Sequence, residues 1–261
     1  MSAIELRELR KSFGSFEVLK GLSLEVGRGQ LFGFLGPNGA GKTTTIKILT
    51  GLLLPSDGGV RVAGFDVVEE PLEVKRRVGY VPDRSYLYEK LTGREFLEFV
   101  GHLYGLETET VRRQAEPLLE RFDMIEWRDE LIEAYSHGMR QKLTVTAALL
   151  HSPEIVIIDE PMVGLDPRSA RTVKALLRRL VDEGRTVFLS THTLEVAEAL
   201  CDRIAIIRTG RILARGTLEE LRREARHEGS LESVFLTLTE EGEDPIGLSG
   251  SEAVVPEARA S

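Results

Sequence analysis

The sequence predicts an α/β fold, and three observations carry the prediction. Strand-like and helix-like segments alternate through the last third of the chain, the pattern of a parallel sheet with crossover helices. A glycine-rich loop, Gly36-Pro37-Asn38-Gly39-Ala40-Gly41-Lys42-Thr43, separates a short apolar run from a helical segment. The apolar run Ile155–Ile158 leads directly into two adjacent carboxylates, Asp159 and Glu160.

The elements follow in chain order. Residues 3–9 and 22–26 alternate apolar and charged side chains, as half-buried strands do. Gln30–Leu35 is a short apolar strand, and Lys42–Thr50 is helical, with Ile46 and Leu49 on one face. Residues 59–63 and 78–81 read as further strands. Thr92 and Glu95 form a T-x-x-E capping box that opens a helix through about Tyr104. A second helix covers 108–122, with Pro117 kinking or splitting it. A third covers 137–150, so that about 84–150 forms a helical subdomain. Ile155–Ile158 suits a buried parallel strand, placed beside the strand that precedes the glycine-rich loop. A helix at 168–183, a strand at 186–190, a helix at 193–200 and a strand at 203–208 follow. Thr217 and Glu220 make a second capping box. The pattern assigns 1–225 to one domain, 226–239 to an extension and 240–261 to a flexible acidic tail.

Composition bounds the function. The chain has 261 residues, 42% of them hydrophobic and 29% charged, enough to bury a substantial core. The longest stretch without a charged side chain is the 13 residues Gly29–Gly41. A membrane-spanning helix needs about 20 apolar residues, so the chain is not expected to cross a bilayer by itself. No basic-then-apolar segment opens the sequence, which argues against a secretory signal. A single cysteine, Cys201, excludes an internal disulfide and fits a reducing compartment. The net charge is -8, but residues 240–261 hold six acids against one base, leaving the body near neutral. Nothing in these totals favours nucleic acid as a partner.

The glycine-rich loop matches G-x-x-x-x-G-K-[ST] in the strand–loop–helix context that this motif requires. Triphosphate oxygens must be wrapped by backbone N–H groups with no Cβ in the way, hence the glycines. The following helix turns its positive end towards the phosphates. Lys42 can reach the β- and γ-phosphates, and the Thr43 hydroxyl can ligate Mg²⁺. At the other motif, Asp159 ends a strand where ligands sit in open α/β sheets, placed to hold hydrated Mg²⁺. Glu160, one step on, can point at a water in line with the γ-phosphate and is a candidate general base.

With these motifs in place, residues 1 to about 225 resemble an ATP-binding cassette (ABC) nucleotide-binding subunit. Ser136-His137-Gly138-Met139-Arg140-Gln141 resembles the family's LSGGQ signature, 23 residues before Asp159. Gly164-Leu165-Asp166-Pro167 resembles its D-loop, and Ser190-Thr191-His192 its switch histidine. Phe13 matches the aromatic that stacks on adenine. The resemblance implies a P-loop NTPase of the ABC ATPase type, with an N-terminal antiparallel β subdomain and a helical signature subdomain. It implies ATP and Mg²⁺ as ligands. ATP would contact Phe13, Gly36, Asn38, Gly39, Ala40, Gly41, Lys42, Thr43, Thr44, Ser136 and Gly138. Mg²⁺ would meet Thr43, Asp159 and Asp83, and catalysis would rest on Glu160 and His192. Some of these residues have plainer readings. Phe13 could be a core aromatic, Ser136 a helix cap, His192 a satisfied histidine at a strand end, and Asp166 a turn aspartate.

Two departures stand out. Asp83, in Val78-Gly79-Tyr80-Val81-Pro82-Asp83, replaces the family's usual glutamine with a shorter anion. His137 and Met139 stand where the signature usually has glycine and glutamine, and the imidazole need not face phosphate.

The resemblance further implies a head-to-tail dimer with two ATPs between subunits, a homodimer on the simplest reading. It also implies integral membrane permease subunits on separate chains, and a place on the inner, cytoplasmic face of the cell membrane. The stretches Pro82–Phe99 and Leu231–Thr239 resemble ATPases of drug and antibiotic exporters, and the chain lacks the long regulatory extension of many sugar importers. Export is therefore expected. The alternatives are an importer ATPase, a soluble ABC ATPase acting on nucleic acid or the ribosome, and a phosphotransfer kinase. The chain has one phosphate loop and no heptad insertion, which speaks against the nucleic-acid class. Ser85–Tyr88 would link the nucleotide site to the helical subdomain, its tyrosines either lining a groove for a membrane subunit or packing inward.

Overall fold

Two sheets with different surroundings explain the two hydrophobic textures of the sequence. The computed structural model describes residues 2–224, 231–233 and 235. Strands β1 (Ser2–Phe13), β2 (Phe16–Gly27), β4 (Asp57–Val62) and β5 (Phe65–Asp66) form an antiparallel sheet in the order β2-β1-β4-β5. Strand β1 buries Ala3, Ile4, Leu6 and Leu9 and exposes charged neighbours, as its alternation requires.

The second sheet has the order β10-β9-β3-β8-β7-β6. It comprises β3 (Leu31–Leu35), β6 (Val78–Val81), β7 (Ile155–Asp159), β8 (Thr186–Thr191), β9 (Arg203–Arg208) and β10 (Arg211–Gly216). All neighbours are parallel except β9 and β10. β3, β7 and β8 are buried along their whole length, so their apolar residues are consecutive rather than alternating, with polar side chains only at the ends of β7 and β8. One face of this sheet, carrying Phe32, Phe34, Ile155, Ile157 and Phe188, packs with α1 (Lys42–Leu49) and the antiparallel sheet. The opposite face, carrying Val156, Ile158, Val187 and Leu189, packs on α5 (His137–Leu149) and α6 (Pro167–Asp182).

The expected neighbour of the phosphate-loop strand is corrected here. β7 does not lie beside β3: β8 sits between them, paired to both. An apolar run specifies burial, not which strand it pairs with, so the order was invisible in the sequence. Helix α2 (Pro71–Arg77), the two-residue strand β5 and edge strand β10 were also not read from the sequence.

The helical portion contains α3 (Gly93–Leu103), α4 (Thr108–Arg121), short 3₁₀ turns at Ile125–Trp127 and Ile132–Ala134, and α5. Pro117 lies inside α4 and does not split it. The proline is exposed, so the carbonyl it leaves unpaired one turn earlier can be solvated. α7 (Leu194–Leu200) and α8 (Leu218–Glu224) close the described fold, and Leu231 and Phe235 pack with them. Thr217 and Glu220 bond reciprocally at the start of α8. The extension at 226–239 is described only at 231–233 and 235, and the tail at 240–261 lies outside the described residues. Among the described residues no helix is long and apolar enough to cross a membrane.

The capping box at α3 forms as read. Thr92 Oγ1 accepts from the Glu95 N–H at 3.2 Å, and the Thr92 N–H donates to Glu95 Oε2 at 2.8 Å. Thr92→Ala is expected to cost about 1 kcal/mol of folding stability, typical of a lost N-cap. Denaturant unfolding measures it, and an unchanged midpoint would mean that the cap contributes nothing.

Candidate active site

The glycine-rich loop leaves the C-terminal end of β3 and enters α1. At Gly36 a Cβ would lie 2.3 Å from the Ile207 carbonyl oxygen, so only glycine lets the loop cross β9 so closely. Gly41 caps α1 with φ 109°, where a side chain would be strained and would meet Leu19. Pro37, Asn38 and Gly39 are exposed, while Ala40 is buried. Ala40 is tied through its carbonyl to the Gly210 N–H at 3.0 Å. The loop is therefore anchored at its ends and open at its crown.

Lys42 is only 6% exposed. Its ammonium donates to the Gly36 and Pro37 carbonyls at 2.6 and 3.2 Å and lies 4.0 Å from Glu160 Oε1. Burial pulls its pKa below the usual lysine value, against the opposing pull of Glu160 and Asp159. The Thr43 hydroxyl donates to Asp159 Oδ2 at 3.0 Å, and Thr44 is half-buried on the same turn. Asp159, 1% exposed, also accepts from the Ser190 hydroxyl. Burial raises its pKa, and the charges of Glu160 and Asp83 add to that, while the two hydroxyls oppose it. The site thus holds a desolvated cation beside desolvated anions, a state that a polyanionic ligand with its counter-cation would relieve.

Glu160 adopts φ 51°, a left-handed conformation uncommon for a residue other than glycine. That turn carries its carboxylate back over β8. Oε1 accepts from the His192 backbone N–H at 3.0 Å and from His192 Nδ1 at 2.7 Å. Oε2 accepts from the Thr191 hydroxyl at 3.1 Å. Three donors, one from the last residue of β8 and two from His192 just after it, therefore fix one carboxylate. The sequence points to His192 but assigns Ser190 and Thr191 no role of their own. A hydroxyl pair at the end of a buried strand next to an acidic strand end is the signal that could have found them.

Other expected residues stand apart from this cluster. Phe13 is 53% exposed at the end of β1, facing Phe16 across the hairpin, with Lys11 Nζ 5.1 Å from its ring centre. It is not a core aromatic, and Phe16 is equally available for stacking. Asp83 is exposed just beyond β6. Among the described residues no hydrogen bond or ion pair links it to the site, although its charge reaches Asp159 and Tyr80. The Tyr80 hydroxyl is pushed up to about 12, mainly by burial.

Ser136 caps α5, accepting from the Met139 N–H at 3.3 Å. The start of that helix contacts the Gly164–Leu165 turn rather than the phosphate loop. The His137 imidazole lies over Gly164, where a Cβ would sit 2.2 Å from Nδ1, and a Cβ on Gly138 would lie 3.8 Å from the Gly164 carbonyl oxygen. Asp166 caps α6, accepting from Arg168 N–H at 2.9 Å and Ser169 N–H at 3.0 Å. Gln141 is buried and accepts from the Ser85 hydroxyl at 3.1 Å, joining the segment after β6 to α5.

Comparison with known proteins gives this arrangement a family. The family model described as ABC transporter matches residues 19–163. The daunorubicin resistance ATP-binding protein DrrA3 of Streptomyces coeruleorubidus is 43% identical over 223 residues, 85% of this chain and 71% of that protein. The linearmycin resistance ATP-binding protein LnrL of Bacillus subtilis (strain 168) is 38% identical over 218 residues, covering 84% and 70%. A solved ATP-binding subunit of an ABC transporter superposes with a TM-score of 0.86 at 34% identity, over 91% of this chain and all of that one. The cassette MJ0796, in a dimeric post-hydrolysis state bound to ADP and Pi, superposes with a TM-score of 0.76 at 25% identity, over 82% and 98%. The phosphate loop, the acidic strand end and these likenesses converge: the chain belongs to the ABC transporter family, as one of its ATP-binding, ATP-hydrolysing subunits.

Proposed function

We propose that this ATPase powers export of a substrate through separate membrane subunits. The observation that carries the catalytic part is the meeting of Lys42, Thr43, Asp159, Glu160 and His192 at one sheet edge. In this reading Lys42, Thr44 and the loop amides from Gly36 to Thr43 bind the phosphates of ATP. Phe13 stacks on the base. Glu160 takes a proton from the attacking water, and His192 holds Glu160 and the γ-phosphate in register. The hard oxygens of Thr43 and Asp159, with Ser190 behind Asp159, suit Mg²⁺, with Asp83 as a further oxygen donor. Bound there, the ion would neutralise charge on the β- and γ-phosphates.

Ser136 and Gly138 serve the ATP of a second copy, because their helix start faces the Gly164 turn and not their own phosphate loop. The dimeric state of MJ0796 supports this arrangement. Residues 1–225 act as one ATPase unit whose helical portion, about 84–150, presents that signature.

The export reading rests on the likeness to resistance ATP-binding proteins. The membrane subunit docks on the side where α2 and the α3–α4 junction border a cavity of about 640 Å³, with Leu52, Leu72 and Leu103 exposed around it. Tyr86 is 82% exposed, and Tyr88 meets Phe99 edge-on at 5.4 Å, so neither ring is core. Such docking would hold the chain on the inner, cytoplasmic face of the membrane. Leu72→Asp with Leu103→Asp should leave ATP hydrolysis by the isolated subunit intact but lose retention on membranes carrying the partner. Retention at the wild-type level would move the docking site elsewhere. Recovery of the wild-type chain with ribosomes or DNA, and not with a polytopic membrane protein, would sink the transport reading.

A further inference from the structure

A cleft of about 230 Å³ lies between α4 and α6, lined also by Leu149 and Ser152, at the end of the sheet opposite the phosphate loop. Its walls are Pro117, Leu118, Leu176 and Leu180, while Arg113, Arg121, Arg179 and Arg185 surround the opening. Four guanidinium groups there face one carboxylate, Glu183, which Arg179 engages at 2.7 Å. Arg121 and Arg185 form no ion pair and no side-chain hydrogen bond among the described residues. Both are half-buried rather than free in solvent. Gln114 lines the same cleft, with its Oε1 buried and without a hydrogen-bond partner. A half-turn of that amide would offer an N–H to a ligand instead.

We propose that this cleft binds a small amphipathic anion: a phosphate or carboxylate held by Arg121 and Arg185, with a short apolar body lying on Leu118, Leu176 and Leu180. An apolar floor under guanidinium groups is poorly suited to an inorganic ion alone, because the floor would stay wet and unused. It is equally poorly suited to a neutral apolar molecule, which would leave two half-desolvated cations uncompensated. The volume lies below the roughly 300–1,000 Å³ of drug-sized sites, which sets the size of the ligand. A ligand so placed touches both the helical portion, through α4, and the sheet layer, through α6.

Octyl phosphate is the probe, titrated calorimetrically into the full chain with saturating Mg-ATP present to occupy the phosphate loop. Saturable binding is expected. Arg121→Gln and Arg185→Gln should each weaken it by about tenfold, the usual scale for a lost charge-assisted hydrogen bond. Inorganic phosphate and octanol should each bind at least about tenfold more weakly than octyl phosphate, since each lacks half of the recognition. Both variants should keep wild-type ATP hydrolysis, which reports that they are folded. Vesicles containing phosphatidic acid separate the sources of the anion. Capture that disappears in the double variant would identify a lipid headgroup, and absence of capture a free small molecule. The proposal is overturned if octyl phosphate does not saturate, if the double variant binds it as tightly as wild type, or if octanol binds as well.

Discussion

Glu160→Gln should lower steady-state ATP hydrolysis by about 10²–10⁴-fold, the usual contribution of a positioned general base, while Mg-ATP still binds. The geometry argues for a base rather than a structural acid. Five other non-glycine residues, among them Ser152 and Thr209, share the left-handed backbone of Glu160 at φ 51°, so what distinguishes Glu160 is where its turn places the carboxylate. The conformation turns Glu160 away from the strand direction and onto donors from Thr191 and His192. It also keeps the side chain within 4.0 Å of the Lys42 ammonium, and so within reach of a terminal phosphate held by Lys42 as proposed above. Glutamine retains the size of the side chain and one acceptor oxygen, so the turn can keep its shape. What it loses is a lone pair basic enough to take a proton. The bound triphosphate then persists, and the two-copy complex should accumulate as a dimer on a sizing column in Mg-ATP. Near-normal phosphate release would mean that Glu160 is not the base. Loss of Mg-ATP binding together with hydrolysis would instead mean that it supports the loop.

The strand–loop–helix with its lysine was legible because its chemistry is local: glycine spacing, a cation and a hydroxyl within eight residues. The acidic strand end was legible for the same reason, as was the Thr92 box. What the sequence concealed is pairing at a distance. Nothing in Ile155–Asp159 says that β8 separates it from β3, because a fully buried strand is apolar on both faces whoever its neighbours are. The role of Thr191 was hidden likewise, since the turn that brings Glu160 over β8 depends on a backbone conformation that the residue type disfavours. His137 shows the reverse case. Its departure from the signature was plain in the sequence, and its partner, Gly164, became visible only when α5 and the turn before α6 were brought together. Short elements such as β5 and α2 carry too few residues to display a period.

Lys42→Ala should abolish tight ATP binding, weakening it by roughly tenfold to a hundredfold if only one charge-assisted contact of about 1.5–3 kcal/mol is lost. A larger loss is expected, because two further effects act in the same direction. Lys42 is the only cation of the phosphate loop. Its removal leaves Glu160 and Asp159 without their buried counter-charge, so the triphosphate would approach two carboxylates unshielded. The ammonium is also already desolvated, and its pKa is held down by burial rather than by a like charge. Binding phosphate therefore exchanges the carbonyls of Gly36 and Pro37 for stronger anionic acceptors, without a fresh desolvation cost on the lysine. Lys47, exposed on the same helix, is the control: Lys47→Ala removes a positive charge from α1 without touching the loop and should leave affinity near wild type. Calorimetry with Mg-ATP distinguishes the two. Equal affinities for wild type and Lys42→Ala would remove the glycine-rich loop as the phosphate site, and equal losses in both variants would reduce the effect to the general charge of the helix.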